Sequence, residues 1–176
     1  MKSIFLSVAL FVCIAGCSTT NSLMHLTPDY TDLPAEKLSV LAVEIETNVS
    51  AGNTEFSLDD SEGLIVDTPE MRQAIRTRAI RQPLVSALLD SGFAAEEKNG
   101  LIAIKRTSAY KKATTSSQRD REALVVMSEN TNRWTIYEGL LESNDWAPRN
   151  LSAVQETFFQ SRIPLLKDGQ LHAPAE

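Results

Sequence analysis

Cysteine is nearly absent from this chain: Cys13 and Cys17 stand in the first 17 positions, and the rest of the 176 residues carry none. That excludes a disulfide framework, a cysteine nucleophile and a thiolate metal site beyond Cys17. Histidine is as scarce. His25 and His172 lie near the two ends, neither with a cysteine or carboxylate at ligand spacing, so no metal centre is expected. No serine can be tied to a histidine on an ordered element, and no Gly-x-Ser-x-Gly elbow occurs. The seven glycines are scattered as turn and cap residues, without a phosphate-cradling loop. Aromatic residues make up 6% and do not interleave with basic ones; with a net charge of -6, nucleic acid is excluded as a partner. After the first 16 residues no apolar run of about 18 occurs, so no transmembrane helix is expected. The run Asp59-Asp60-Ser61-Glu62 lacks the alternating oxygen ligands of a calcium loop and reads as solvated acid.

What is present begins at the N-terminus. Lys2, an apolar stretch from Ile4 to Val12, small residues and then Cys17 resemble a bacterial lipoprotein signal. The resemblance implies that residues 1–16 are a removed signal peptide and that Cys17 becomes an acylated N-terminus. Several acyl chains would hold the domain stably to a leaflet, because each buried methylene contributes about 0.8 kcal/mol. Ser18, where proteins with such signals carry Asp for inner-membrane retention, points to the periplasmic face of the outer membrane. The expected organisation is a tether over 17–33, one globular domain over 34–171 and a tail over 172–176. The 160 residues left after the signal can supply one core.

Charge is uneven. Residues 29–70 hold eleven acids and one base, Lys37; residues 71–121 hold eleven bases and four acids. Either the two segments face each other within the fold, or the basic one meets an anionic lipid or acidic partner.

The expected fold is α+β, mainly α: about four helices, one of them long and central, with a β-hairpin and a small C-terminal ribbon. Leu38, Leu41, Ile45 and Val49 predict a helix over 35–49 opened by Pro34, with a strand over 40–43 as the alternative. Residues 50–67 read as an acidic loop with a short strand near 63–66. Thr68-Pro69-Glu70 starts a second helix, with a kink or restart expected at Gln82 before Pro83 and a cap at Gly92. Asn99-Gly100 predicts a hairpin turn with both residues at positive φ, and 107–117 reads as loop. Ser116 or Ser117 caps the long helix to about Asn144, and Asn150 caps a last helix over 151–163, which Pro164 ends. Asp168-Gly169 suits a terminal hairpin.

The long helix carries Glu129, Asn130 and Arg133 inside its apolar arc, stacked with Tyr137, instead of opposite it. Buried charge must be paired, so Arg133 either joins Glu129 and reaches backbone carbonyls of the hairpin or last helix, or the group lines a polar binding cleft. Adjacent Glu96 and Glu97 on a strand point to opposite faces, which argues against a shared acid–base site. Trp134, Phe158 and Phe159 read as core, and Trp146 beside Pro148 reads either as core or as an anchor for a partner.

Glu129-Asn130, Arg133, Tyr137, Leu140-Leu141 and Asn144 resemble the central signature of the YdbL-like family, exported bacterial proteins with a domain of unknown function. Gly92, Glu96 and Gly100-Leu101 resemble its hairpin, and Val154 to Phe159 with Pro164 and Gly169 resemble its closing helix and tail. The likeness spans 71–171 and departs at Ala95, where a glycine is usual, and at Leu171, where a tryptophan is. It implies an accessory role in envelope maintenance, in a setting where some members accompany phospholipid-moving bridges, and it implies no catalytic residue. The expectation is therefore a lipid-anchored, non-enzymatic binding or assembly factor without cofactor or metal. Its partners would be the membrane, an envelope protein and phospholipid. A small lipid-binding carrier is the alternative and requires an apolar cavity between the long and last helices. A hydrolase is a third reading, and the missing histidine and thiol chemistry argues against it.

Overall fold

A computed structural model describes residues 27–55, 58 and 63–173. The signal peptide, Cys17, His25, the acidic run 59–62 and residues 174–176 lie outside the described residues.

The architecture is α+β and mainly helical. Helix α1 (Ala35–Ser50) and helix α2 (Pro69–Asp90) lead into strands β1 (Ala94–Glu96) and β2 (Ile102–Ile104). A short helix α3 (Ser108–Ala113) precedes the long α4 (Ser116–Ser143), followed by α5 (Leu151–Arg162) and strand β3 (Leu171–His172). Helix α4 packs along α2 on one side and the hairpin on another, while α1 and α5 pack together. Leu38, Leu41 and Ile45 of α1 meet Ile75 of α2, Ile136 and Leu140 of α4 and Phe158 of α5 in the main core. Each such side chain contributes about 1.5–3 kcal/mol relative to exposure. Tyr137, Phe158 and Val154 fill the space between α4 and α5 where a lipid cavity would have to open, and the Tyr137 and Phe158 ring centroids are 5.1 Å apart.

Several expectations need correction. Pro83 does not restart α2, which runs as one helix to Asp90. Its ring removes the donor to the Ala79 carbonyl, but Arg78 and Ala79 before it and Val85, Leu88 and Leu89 after it are buried, and that packing carries the helix past the missing bond. The 63–66 segment is not a strand; the Asn144 side chain satisfies it instead, accepting from Ile65 N–H at 2.8 Å and donating to Ile65 O at 2.9 Å. Only Gly100 takes positive φ in the hairpin loop. Asn99 uses its side chain, accepting from Leu101 N–H at 3.1 Å, and the loop closes through Gly100 N–H to Glu97 O and Glu97 N–H to Leu101 O, both 2.9 Å.

The 107–117 segment is not all loop. Thr107 caps α3 by accepting from Tyr110 N–H, and the Tyr110 ring is buried against Phe93. Thr115, one residue before the expected caps, starts α4 in a reciprocal box with Gln118. Asn150 makes no side-chain cap on α5; it donates to the carbonyls of Asp29 and Thr31, both at 2.9 Å. With the Arg149 pairs to Asp29 and Asp32, this fastens the last residues of the expected tether to the domain. The terminal ribbon is not a hairpin. Lys167 and Gln170 bind Asp90 of α2, and the chain then joins the open edge of β1 in parallel, giving the order β2-β1-β3. His172 and Ala173 therefore belong to the domain and not to the tail, Ala173 N–H donating to Glu96 O at 2.8 Å. Gly139 is a contact glycine inside α4 rather than a cap: a Cβ there would lie 2.8 Å from Met71 Cγ.

Replacing Thr115 with Ala removes one half of the capping box on the longest helix. Thermal unfolding should show a loss of about 1 kcal/mol with unchanged helix content at low temperature.

Candidate functional site: a closed ring of buried arginine and glutamate

Three arginines and three glutamates from five elements form one closed ring of alternating charge. Glu46 of α1 takes both terminal nitrogens of Arg78 of α2, at 2.9 and 2.8 Å. Arg78 Nε donates to Glu129 of α4 at 2.8 Å, and Glu129 accepts from Arg133 Nε, one turn along, at 2.9 Å. Arg133 grips Glu96 of β1 with two bonds of 2.6 and 2.8 Å. Glu96 accepts from Arg162 Nε of α5 at 3.0 Å, and Arg162 Nη1 returns to Glu46 at 2.9 Å. All six are buried. Arg81, nearer the surface, adds a bond of 3.2 Å to Glu129.

The carbonyl of Gly100 is the hub beside this ring. It accepts from Tyr137 Oη at 2.7 Å, Arg162 Nη2 at 2.8 Å and Arg133 Nη1 at 3.2 Å. Gly100 holds φ at +72°, and a Cβ there would lie 2.9 Å from Tyr137 Oη and 3.0 Å from the Gln155 carbonyl. Both the turn and the close approach require glycine.

Burying an ion costs several kcal/mol, and the cost is offset only with good geometry and full hydrogen bonding. Here each guanidinium faces two carboxylates and each carboxylate two guanidiniums, with zero net charge. Burial raises the carboxyl pKa values, but the flanking guanidiniums outweigh it, holding Glu46 and Glu96 below their ordinary value and Glu129 down at about 2. Burial lowers the guanidiniums, and the carboxylates more than restore Arg78, Arg133 and Arg162. Burial also pushes the Tyr137 phenol up. No member of the ring exchanges a proton near neutral pH.

Above the ring lies a cleft of about 170 Å³, walled by Val49, Val85, Leu89 and Leu166 with Lys167 and Gln170 at its edge. Lys167 is tied to Ser86 Oγ at 2.8 Å and to Asp90. Among the described residues no group of three histidine, cysteine or acidic side chains is placed to hold a metal ion. The ring carboxylates are occupied by guanidiniums.

Glu129, Arg133 and Tyr137 come together as the sequence suggested, with Arg133 on both Glu129 and the hairpin carbonyl. Asn130 stands beside the ring and clamps β2, accepting from Ile102 N–H at 3.0 Å and donating to Ile102 O at 2.9 Å. Trp146 is away from the ring, half-buried against the main core. Glu96 and Glu97 do diverge, Glu97 pairing outside with Lys105 at 2.6 Å. Sequence reasoning missed Glu46, Arg78 and Arg162. The signal was the one that exposed Arg133: each interrupts an apolar stripe, Glu46 between Ala42 and Val49, Arg78 between Ile75 and Val85, Arg162 in step with Val154 and Phe158.

Replacing Glu129 with Gln strands Arg78 and Arg133 and turns an amide N–H₂ toward Arg81. Urea unfolding should show a loss of about 3–5 kcal/mol. The three depressed carboxyls also set the acid limit. Their stabilisation is complete above the ordinary value of 4.5 and is lost as pH falls from there through the folded value, about 2 for Glu129. Stability measured against pH should therefore fall steeply below about 4.5 in the natural chain and less steeply in Glu129→Gln. The raised arginines add no change below pH 12.

Searches against family models, curated proteins and solved structures found no match to this chain.

Proposed function

We infer that this chain is a lipid-anchored, non-enzymatic binding or assembly factor of the cell envelope, facing the periplasm from the outer membrane. It acts by protein contact, with phospholipid as a second ligand. The observation that carries the non-enzymatic part is the saturated ring. The most buried ionisable groups sit at the floor of a cleft, as catalytic groups do, yet each is locked in one charge state by two neighbours. A general acid or base needs a pKa near the working pH, and these are driven away from it. The hydrolase reading is weakened on that ground.

The carrier reading is weakened by size. The cleft of about 170 Å³ falls below the roughly 300–1,000 Å³ of ligand pockets, and it is floored by charge. Among the described residues no helix is long and apolar enough to cross a membrane, so attachment in this reading depends on the acyl groups at Cys17. The YdbL-like resemblance supports an accessory envelope role, because Glu96, Gly100, Glu129, Arg133 and Tyr137, which carry much of it, are the residues that lock the hairpin to α4.

Mass spectrometry of the native protein should find a chain that starts at acylated Cys17. Cys17→Ser should turn membrane attachment that withstands high salt into attachment that high salt releases, without changing its melting temperature. Photo-crosslinkers on the exposed face of α4 should capture the same envelope protein in repeated trials. An intact Met1 terminus without acyl mass would overturn the anchor, and specific turnover by the purified protein would overturn the binding role.

A further inference from the structure

At the start of α4 the chain gathers positive charge with little to answer it. Arg106 follows β2, Lys111 and Lys112 close α3, and Arg119 lies in the first turns of α4. Arg106, Lys111 and Arg119 line one concavity of about 260 Å³ beside Tyr110. Tyr110 is held firmly there, its ring 5.4 Å from that of Phe93 and its hydroxyl donating to Glu122 at 2.6 Å. Arg119 is oriented by Nη1 donating to the Thr114 carbonyl at 2.6 Å, which leaves its Nε and Nη2 groups for a ligand. Among the described residues no carboxylate pairs with Arg106, Lys111 or Lys112. The acids nearby are Asp120, which lines the concavity, and Glu122, which is committed to Tyr110.

A second feature adjoins this one. Leu124 and Met127 are exposed at 61% and 65%, and Met127 lies one turn beyond Ala123, which lines the concavity. Unpaired cations around a hollow, with large apolar side chains exposed on the adjoining stretch of α4, match an anionic phospholipid surface. A headgroup phosphate satisfies the cations while Leu124 and Met127 enter the boundary between headgroups and acyl chains. A free phosphate makes no use of the two apolar side chains.

The geometry points to a second membrane contact: the α3–α4 corner binds the headgroups of anionic phospholipid through Arg106, Lys111, Lys112 and Arg119. It deepens the phospholipid part of the proposed function and does not rest on acylation of Cys17. The site lies at the opposite end of α4 from the fastened segment 29–33. A helix of 28 residues puts about 42 Å between the two ends. The fastened segment 29–33 and this contact therefore lie at opposite ends of α4.

The test uses the full chain carrying Cys17→Ser, so that no acyl group contributes. It is floated with vesicles of phosphatidylcholine alone or mixed with phosphatidylglycerol. The protein should rise with the mixed vesicles only, and added salt should release it. Combining Arg106→Ala, Lys111→Ala and Lys112→Ala should lower partitioning on the order of a hundredfold, roughly a factor of five for each cation. Leu124→Ser with Met127→Ser should lower it as well, and both variants should melt as the parent does. Equal recovery with neutral and anionic vesicles, or none with either, would overturn the assignment. So would saturable binding of inorganic phosphate without vesicle recruitment. Fractionation of the acylated protein from cells in high salt, which releases the electrostatic contact, reads Cys17 and not this surface, so the two readings fail separately.

Discussion

A closed ring of charge cannot be built in part. Removing any one of Glu46, Arg78, Glu129, Arg133, Glu96 or Arg162 leaves its two neighbours each short of a counter-charge in a site that water does not freely reach. Because the six come from α1, α2, β1, α4 and α5, the five elements must arrive together, in one register, for any of the charges to be tolerable. An apolar core of the same volume would accept small slips of helix against helix; paired guanidiniums and carboxylates at 2.6–3.0 Å do not. The ring adds specificity more than net stability, since its desolvation cost cancels much of its attraction.

That demand explains features that would otherwise look like weaknesses. Pro83 interrupts the hydrogen-bond ladder of α2, but Arg78 on one side and Val85 on the other are both fixed against α4, so a hinge there has nowhere to move. The hairpin is only three residues per strand, too short to be stable by itself. Asn130 reads the backbone of Ile102, Tyr137, Arg133 and Arg162 converge on the Gly100 carbonyl, and Glu96 is gripped from two helices. The sheet is a fitting held by the helices, and the chain entering β3 is tied to α2 through Lys167 and Gln170.

Much of this was readable from the chain and some was not, for physical reasons. Apolar spacing at Leu38, Leu41, Ile45 and Val49, the Thr68-Pro69 start and the polar intrusion at Glu129 and Arg133 each report a local constraint, and the structure honours them. Pro83 misled because a local cost of a few kcal/mol was outweighed by burial on both sides. Asn99 misled because its side chain supplied the turn hydrogen bond that positive φ would have supplied. The parallel placement of β3 depends on contacts some 80 residues away, which no local pattern encodes. Glu46, Arg78 and Arg162 left the same mark as Arg133, a charge within an apolar stripe. One such mark shows that a partner exists; only the fold shows that four of them share it.

The rigidity that the ring imposes bears on what the domain can do. A domain locked in this way offers fixed surfaces at fixed separations. The segment 29–33 is fastened to Arg149 and Asn150 at one end of α4, and the unpaired cations cluster at the other. Near the fastened end Asp29 and Asp32 share one partner, Arg149, whereas Arg106, Lys111 and Lys112 have no carboxylate partner among the described residues. Acids at one end of α4 thus have a partner within the fold, and bases at the other are left for something outside it. The long helix, fixed by the ring near its middle, keeps the two apart.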